Sequence, residues 1–203
     1  MAGGNNDTGS QFFISSSNVN ASKEAGFTMP SGNPYSLDSI DLRLRIVNTT
    51  GTPQLTNFSL FADVGNNPGE SPLVDFDLTA FNNSLSTIAN GTVDTFNFTP
   101  ISPFTLSPDT TYWFAVRSNA SSSGIIAWRS NNPNIAPTGI ATSAGYRINI
   151  TGVFPPTTVN NFFSTYQLNG TEITSPPVTT PEGSNVVALI FFGGVLVMGL
   201  KSS

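Results

Sequence analysis

Apolar and polar residues alternate with a period of two along most of this chain. From Ile40 to Ile46 every second residue is apolar, and Asp41, Arg43 and Arg45 stand between them. Successive side chains of a strand point to opposite faces of a sheet, so this pattern predicts a strand with one buried face. Similar patterns predict further strands near residues 58–62, 73–78, 96–98, 112–117, 126–128, 146–150 and 163–168. No stretch between residues 11 and 168 has a helical period, so no helix is expected there.

Turn signals rich in Asn, Gly and Pro separate the predicted strands, at residues 48–51, 65–69, 89–91, 107–109 and 131–133. Short strands with frequent turns are typical of sandwiches and barrels. We therefore expect an all-β fold, a two-sheet antiparallel sandwich of the jelly-roll type, over residues 11–170. Residues 1–10 are expected to form a disordered tail, and residues 171–185 a Pro-rich linker.

An apolar segment follows that linker. Residues 186–200 carry neither a charge nor a hydrogen-bonding side chain, and Lys201 comes next. A helix of this length rises about 22 Å, against about 30 Å for the hydrocarbon core of a bilayer, so it spans a membrane only marginally. The run is apolar on all sides, which favours a transmembrane or sorting helix at residues 186–201. A buried core element is the alternative.

The composition excludes several classes of function. Charged residues make up 9% of the 203 residues, and the net charge is −5. The seven Lys and Arg residues are scattered, whereas binding to nucleic acid or anionic lipid requires clustered cations. The chain has no Cys and no His. Disulfides and thiolate chemistry are therefore excluded, and zinc, copper, haem and iron–sulfur centres are not expected.

The first residues of the chain have neither the basic region nor the apolar region of a signal peptide. If the protein is exported, we expect its signal peptide to precede Met1 in a longer chain. The alternative is a cytoplasmic start.

Several motifs follow one another in the body: FTM at 27–29, YSLDSIDLRL at 35–44, FSLFADVGNNPG at 58–69, FNFTP at 96–100, LSPDTTYW at 106–113 and AWRS at 127–130. In this order they resemble the choice-of-anchor domains of type R. The resemblance covers about residues 18–168. It implies a sandwich fold and an exported protein of the bacterial cell surface, and it brings no catalytic residues.

The C-terminal layout is similar to the PEP-CTERM sorting signal, in which a Pro-Glu-Pro motif, a transmembrane helix and a basic cluster are recognised by an exosortase. Here Pro181 and Glu182 precede the apolar segment, and Lys201 follows it. Gly183 stands in place of the second proline, and the basic cluster is a single lysine. The resemblance implies an exosortase as sorting protease and at least transient anchoring in the membrane.

Trp113 and Trp128 are candidate ligand-binding residues, because indole rings can form a platform for a sugar ring. Arg129 stands beside Trp128, and we expect it to be a surface charge rather than a recognition group. The alternative is that both tryptophans belong to the core, since large aromatic residues dominate sandwich cores.

Asp63, Asn66 and Glu70 offer oxygen ligands around a tight loop, as calcium prefers. The alternative is a turn that uses Asn and Gly for positive φ. Asp75 and Asp77 lie on one strand face and could pair for acid–base chemistry, although a solvated face is the more ordinary interpretation.

We therefore expect a non-catalytic cell-surface or extracellular-matrix protein that is sorted or anchored through its C-terminal segment. No cofactor is expected apart from calcium at the loop around Asp63. The alternative function is a carbohydrate-binding module that binds polysaccharide through exposed aromatic rings, with calcium assisting. Either protein would be located in the cell envelope or outside the cell.

Overall fold

The computed structural model describes residues 12–14, 22–47, 54–118, 125–129, 138–149, 158–159 and 164–174. The chain divides into two compact units, Met1–Ile173 and Thr174–Ser203, and the fold below is that of the first. One helix of the described residues, α1, spans Thr79–Ser84. The strands are, in chain order, β1 Phe12–Ile14, β2 Ser22–Thr28, β3 Tyr35–Val47, β4 Leu55–Asp63, β5 Pro68–Asp75, β6 Val93–Phe98, β7 Thr105–Leu106, β8 Thr111–Ser118, β9 Ile125–Trp128, β10 Thr142–Asn149, β11 Thr158–Val159 and β12 Tyr166–Glu172.

Strand β3 is the central strand of the first sheet. One of its edges pairs with β12 and then, further along, with β9, while β7 and β6 pair with the opposite edge. Strand β1 extends this sheet by pairing with β9. All these pairings are antiparallel. Because β3 is thirteen residues long, four strands share its two edges.

The second sheet has the order β11-β10-β2-β8-β4-β5, also with antiparallel pairings. Strand β2 lies near its centre and is buried on both faces: Ser22, Lys23 and Glu24 are as inaccessible to solvent as Ala25 and Phe27. A strand of this kind has no apolar–polar alternation, so the sequence pattern did not predict it. The predicted all-β fold of two antiparallel sheets is confirmed.

Consecutive strands repeatedly change sheet. The chain crosses from β2 to β3, from β3 to β4, and from β5 to β6, and it alternates between sheets from β7 through β10. Strands β4 and β5 form a hairpin within the second sheet. The two sheets are therefore connected by several crossovers of the chain.

Aromatic rings from the two sheets meet in one core. The ring of Phe58 on β4 lies 5.2 Å from that of Phe98 on β6, and Phe114 on β8 lies 5.5 Å from Trp128 on β9. Tyr166 on β12 also contacts Phe114, at 4.9 Å. Each such pair stabilises the fold by about 0.5–1.5 kcal/mol beyond the burial of its area. The apolar residues predicted to face inward on β3 are all fully buried: Ile40, Leu42, Leu44 and Ile46.

Helix α1 was not predicted from the sequence. It is six residues long, too short for a helical period to be recognised. Its ring Phe81 is buried 4.9 Å from Phe96 and 5.4 Å from Phe98. Asp77 Oδ1 accepts a hydrogen bond from Thr79 N at 2.8 Å, which satisfies one of the free N–H groups of the first turn. Tertiary packing and this hydrogen bond therefore stabilise the helix, which no pattern along the chain predicts.

Strand β12 continues through Glu172, two residues into the stretch predicted as linker. Ile173 N then donates to Pro34 O at 2.8 Å, so regular pairing ends where the first unit ends. In the part of the chain that the structure describes, no helix has the length and apolar character needed to cross a membrane. The predicted tail 1–10 and the predicted helix 186–201 lie outside the described residues.

Candidate functional site

Trp128 is a core residue. Its side chain is fully buried, and its indole Nε1 donates to the carbonyl of Thr165 at 2.9 Å. Arg129, expected at the surface, is only 2% exposed, so that expectation was wrong. Its backbone N donates to Arg43 O at 2.9 Å, and its carbonyl accepts from Thr165 N at 2.8 Å. These bonds place Arg129 within the first sheet, at Arg43 of β3, between the part of β3 that pairs with β9 and the part that pairs with β12.

Trp113 is also fully buried, on the outer face of the second sheet. Its indole lies flat over Gly26 of β2, where a Cβ atom would stand 2.9 Å from three ring atoms. Arg147 of β10 covers the indole, with its guanidinium carbon 5.0 Å from the ring centroid. Neither Trp113 nor Trp128 therefore presents a ring face to a ligand in this structure.

The guanidinium of Arg147 reaches from β10 to the turn between β4 and β5. Nη2 donates to Asn66 O at 2.8 Å, and Nε donates to Asn67 Oδ1 at 3.3 Å. Asp63 completes the arrangement, because its Oδ1 accepts from Trp113 Nε1 at 2.6 Å. We call Gly26, Asp63, Trp113 and Arg147 the Trp113 clasp. It holds the β4–β5 turn against the outer face of the sheet.

Two of the three calcium ligands suggested by the sequence, Asp63 and Asn66, lie at this turn. Asp63 Oδ2 accepts from Asn66 N at 3.3 Å, so both carboxyl oxygens already accept hydrogen bonds from the protein. Asn66 has φ of 64° and Gly65 has φ of 62°, as the turn interpretation requires. Glu70 is exposed on β5. Among the described residues, no group of three or more His, Cys, Asp or Glu could hold a metal ion.

Lys23 and Glu24 are buried on opposite faces of β2. Burial raises the pKa of Glu24 to about 7, although a hydrogen bond from Ser22 and the charges of Arg117 and Arg147 act to lower it. Glu24 Oε2 has no hydrogen-bond partner in the described part of the chain. Burial also lowers the pKa of Lys23 to about 7. The Lys23 Nζ donates to Trp128 O at 3.4 Å and lies 5.4 Å from the indole centroid.

A band of polar side chains crosses the outer face of the first sheet. Asn97 of β6 and Asn169 of β12 each donate through Nδ2 to the Asp41 carboxylate of β3, at 2.6 and 3.1 Å. Both amides also donate to Ser39 Oγ, at 2.8 and 3.0 Å. This polar band consists of Ser39, Asp41, Asn97, Asn169 and the residues that extend it, Ser36, Asp38, Gln167 and Thr171.

Asp38 belongs to the exposed part of the polar band. It is an extra residue in β3, because Leu37 pairs with Gly170 and Ser39 pairs with Asn169. Its carboxylate accepts from Ser36 Oγ at 2.6 Å and from Thr171 Oγ1 at 2.7 Å. These two hydrogen bonds hold the pKa of Asp38 below its usual value. The band is therefore acidic and rich in hydrogen-bonding groups.

Asp75 and Asp77 stand at the end of β5. Ser59 Oγ donates to Asp75 Oδ1, and Asp77 Oδ1 accepts from Thr79 N at the start of α1. Hydrogen bonds from the Thr79 side chain and backbone hold the pKa of Asp77 below its usual value. Asp77 is thus ionised at neutral pH and has no proton to donate, so the arrangement does not favour it as a general acid.

The sorting residues Pro181, Glu182, Gly183 and Lys201 lie outside the described residues. Comparison with known proteins finds no family model that matches the chain, no similar curated protein and no similar solved structure.

The sequence pattern alone did not predict the polar band, although part of its signal was present. The alternation along β3 placed Asp41 on an outward face. The partners Asn97 and Asn169 come from distant strands, and only the register of β6 and β12 against β3 brings them to Asp41. The pattern along one strand cannot supply that register.

Proposed function

We propose that this chain is a non-catalytic protein of the bacterial cell surface or extracellular matrix, sorted or anchored through its C-terminal segment. One observation carries the proposal: an apolar run at residues 186–200, followed by Lys201, comes after a Pro-rich stretch that begins just beyond the last strand. A folded domain, a linker and an apolar terminus form the layout of an anchored surface protein. On this proposal an exosortase-like protease is the sorting partner.

Two features of the domain support this proposal. The repeated crossing of the chain between two antiparallel sheets is typical of a jelly-roll sandwich, an architecture that lectin domains also use. The chain also lacks His and Cys, the residues that most often serve as general base and as thiol nucleophile. We therefore assign the domain a structural or adhesive role.

Cell fractionation tests the anchoring. The chain is expressed in a bacterium behind a signal peptide, once complete and once ending at Gly183. We expect the complete chain in the envelope fraction and the shortened chain in the medium. A third form with Leu196→Arg keeps the length but places a charge within the apolar run, which costs about 2.5–3.5 kcal/mol at the centre of a membrane helix. We expect it to be released. Equal release of the complete and shortened chains would refute the proposal.

Carbohydrate binding is the second candidate function, and the polar band favours it. Amide, carboxylate and hydroxyl groups from three adjacent strands face outward there, and such groups recognise sugar hydroxyls by hydrogen bonds. A polysaccharide array is probed with the chain and with an Asn97→Ala, Asn169→Ala variant, each with and without a chelator. Loss of a glycan signal in the variant supports this function. Absence of binding to every glycan removes it.

A further inference from the structure

A groove of about 280 Å³ opens where the chain crosses from the second sheet to the first. The segment around Phe76 is bonded on both sides, because Phe76 N donates to Phe58 O at 2.9 Å and Ile101 N donates to Asp75 O at 2.9 Å. Asp77 N donates to Thr99 O at 2.8 Å. The walls of the groove are therefore held by backbone hydrogen bonds to both neighbouring segments.

The two carboxylates of the groove are held in place by protein donors. Ser59 Oγ lies within hydrogen-bond distance of both Asp75 Oδ1 and Asn57 Oδ1, the latter at 2.9 Å, and its single proton is donated to one of them at a time. Thr79 N donates to Asp77 Oδ1. An ionised carboxylate offers about four acceptor positions, so these bonds orient Asp75 and Asp77 and leave acceptor capacity that faces solvent. The remaining polar lining consists of Thr56 and Asn57.

Apolar side chains form the rest of the groove lining. Leu78 and Ile101 line it together with Phe58 and Phe76, and Ile101 is 66% exposed. The eight lining residues include two acids and no base. This lining is complementary to a ligand that combines a positive charge with an apolar stem.

We propose that this groove binds the side chain of a lysine from a partner polypeptide. The ammonium group has three donors, which match the carboxylates of Asp75 and Asp77 and the Asn57 side chain. The four-carbon stem packs along Ile101 and Leu78, since lysine stems readily cover apolar surface while the charge stays near water.

A titration followed by NMR tests this assignment. The full chain, dispersed in a non-ionic detergent, is titrated with the peptide acetyl-Gly-Lys-Gly-amide and with the same peptide carrying an Nε-acetylated lysine. We expect the amide signals of Leu78 and Ile101 to move with the first peptide. The acetylated peptide should bind at least about tenfold more weakly, because it keeps the stem and loses the charge. Binding should also weaken as salt is raised.

Two variants locate the interaction. Asp75→Asn with Asp77→Asn keeps acceptors for Ser59 and Thr79, removes both charges, and should abolish the shifts. Asp109→Asn is the matched control, because Asp109 is exposed in a different turn with φ of 52°, which Asn tolerates. It should bind as the parent does. Equal binding of both peptides, unchanged binding by the double variant, or tighter binding of glucosamine than of the lysine peptide would each overturn the proposal.

Discussion

Gly26 has no room for a side chain, because the Trp113 indole lies directly on it. A Cβ atom at this position would stand 2.9 Å from three atoms of the ring, closer than van der Waals contact allows. We expect Gly26→Ala to lower the free energy of unfolding by about 1–3 kcal/mol, as overpacked sites do. The change is measured from the midpoint of urea unfolding.

A double-mutant cycle distinguishes this clash from a general effect on β2. In a Trp113→Leu background the flat indole is gone, so Gly26→Ala should cost much less than in the parent chain. Equal costs in the two backgrounds would contradict the packing of Trp113 on Gly26.

Lys23 and Glu24 impose an unusual dependence of stability on pH. The folded pKa of Glu24 is raised from 4.5 to about 7, so the folded state binds more protons and stability falls as pH rises between these values. The folded pKa of Lys23 is lowered from 10.5 to about 7, so stability rises as pH increases from about 7 to 10.5. We expect a minimum of stability near pH 7, with a fall on the acidic side on the order of 3 kcal/mol.

Thermal unfolding between pH 4 and pH 10 measures this profile. Glu24→Gln should remove the fall between pH 4.5 and 7, and Lys23→Met should remove the rise above pH 7. Each variant keeps the limb that belongs to the other residue and so serves as its control. A parent chain with greatest stability at neutral pH would contradict the prediction.

At the scale of elements, α1 takes the place of a missing strand neighbour at the start of β4. The Asn82 side chain accepts from Leu55 N at 3.1 Å and donates to Leu55 O at 3.0 Å. Leu55 is buried, so removing the amide leaves two backbone groups without partners. We expect Asn82→Ala to cost about 1–3 kcal/mol in the free energy of unfolding.

Asn83 provides the matched control for this prediction. It is exposed on the same helix, so Asn83→Ala should change the urea midpoint very little. Equal effects of the two substitutions would show that the cost comes from the helix itself and not from the pairing with Leu55.

The sequence predicts those strands that have one buried face and one solvent-exposed face. Strand β3 shows its alternation because its outer face is polar. Strand β2 is buried on both faces. Its polar residues Ser22, Lys23 and Glu24 interrupt the apolar run that would identify a core strand. The sequence also singled out Asp63 and Trp113, but for different roles. That they bond to each other depends on the register of β4 against β8, where Phe61 pairs with Trp113, and local pattern carries no information on that register.

For the molecule as a whole, the last strand marks how much chain the fold requires. Strand β12 ends at Glu172, and Ile173 makes the last described backbone bond of the unit. A chain that ends at Thr174 should unfold within about 4 °C of the full chain, equivalent to roughly 1 kcal/mol or less. A chain that ends at Ser164 lacks β12, with Tyr166 and Leu168, and should not fold.

Near-ultraviolet circular dichroism and thermal unfolding of the two shortened chains check this prediction. The shorter one should lose the signal of its buried tryptophans. Cooperative unfolding of the chain that ends at Ser164 would contradict it, as would a large loss of stability on removing only residues 175–203.

The position of β3 at the centre of its sheet also governs the time course of folding. Strand β3 is synthesised early, whereas its partners β6, β7, β9 and β12 all come later in the chain. Tyr35, at the start of β3, pairs with Glu172, at the end of β12. Contacts so distant in sequence must be closed against a loss of chain entropy, which makes folding slow. During synthesis the edges of β3 therefore remain unpaired until almost the whole domain has emerged. In that interval the strand must be protected from aggregation.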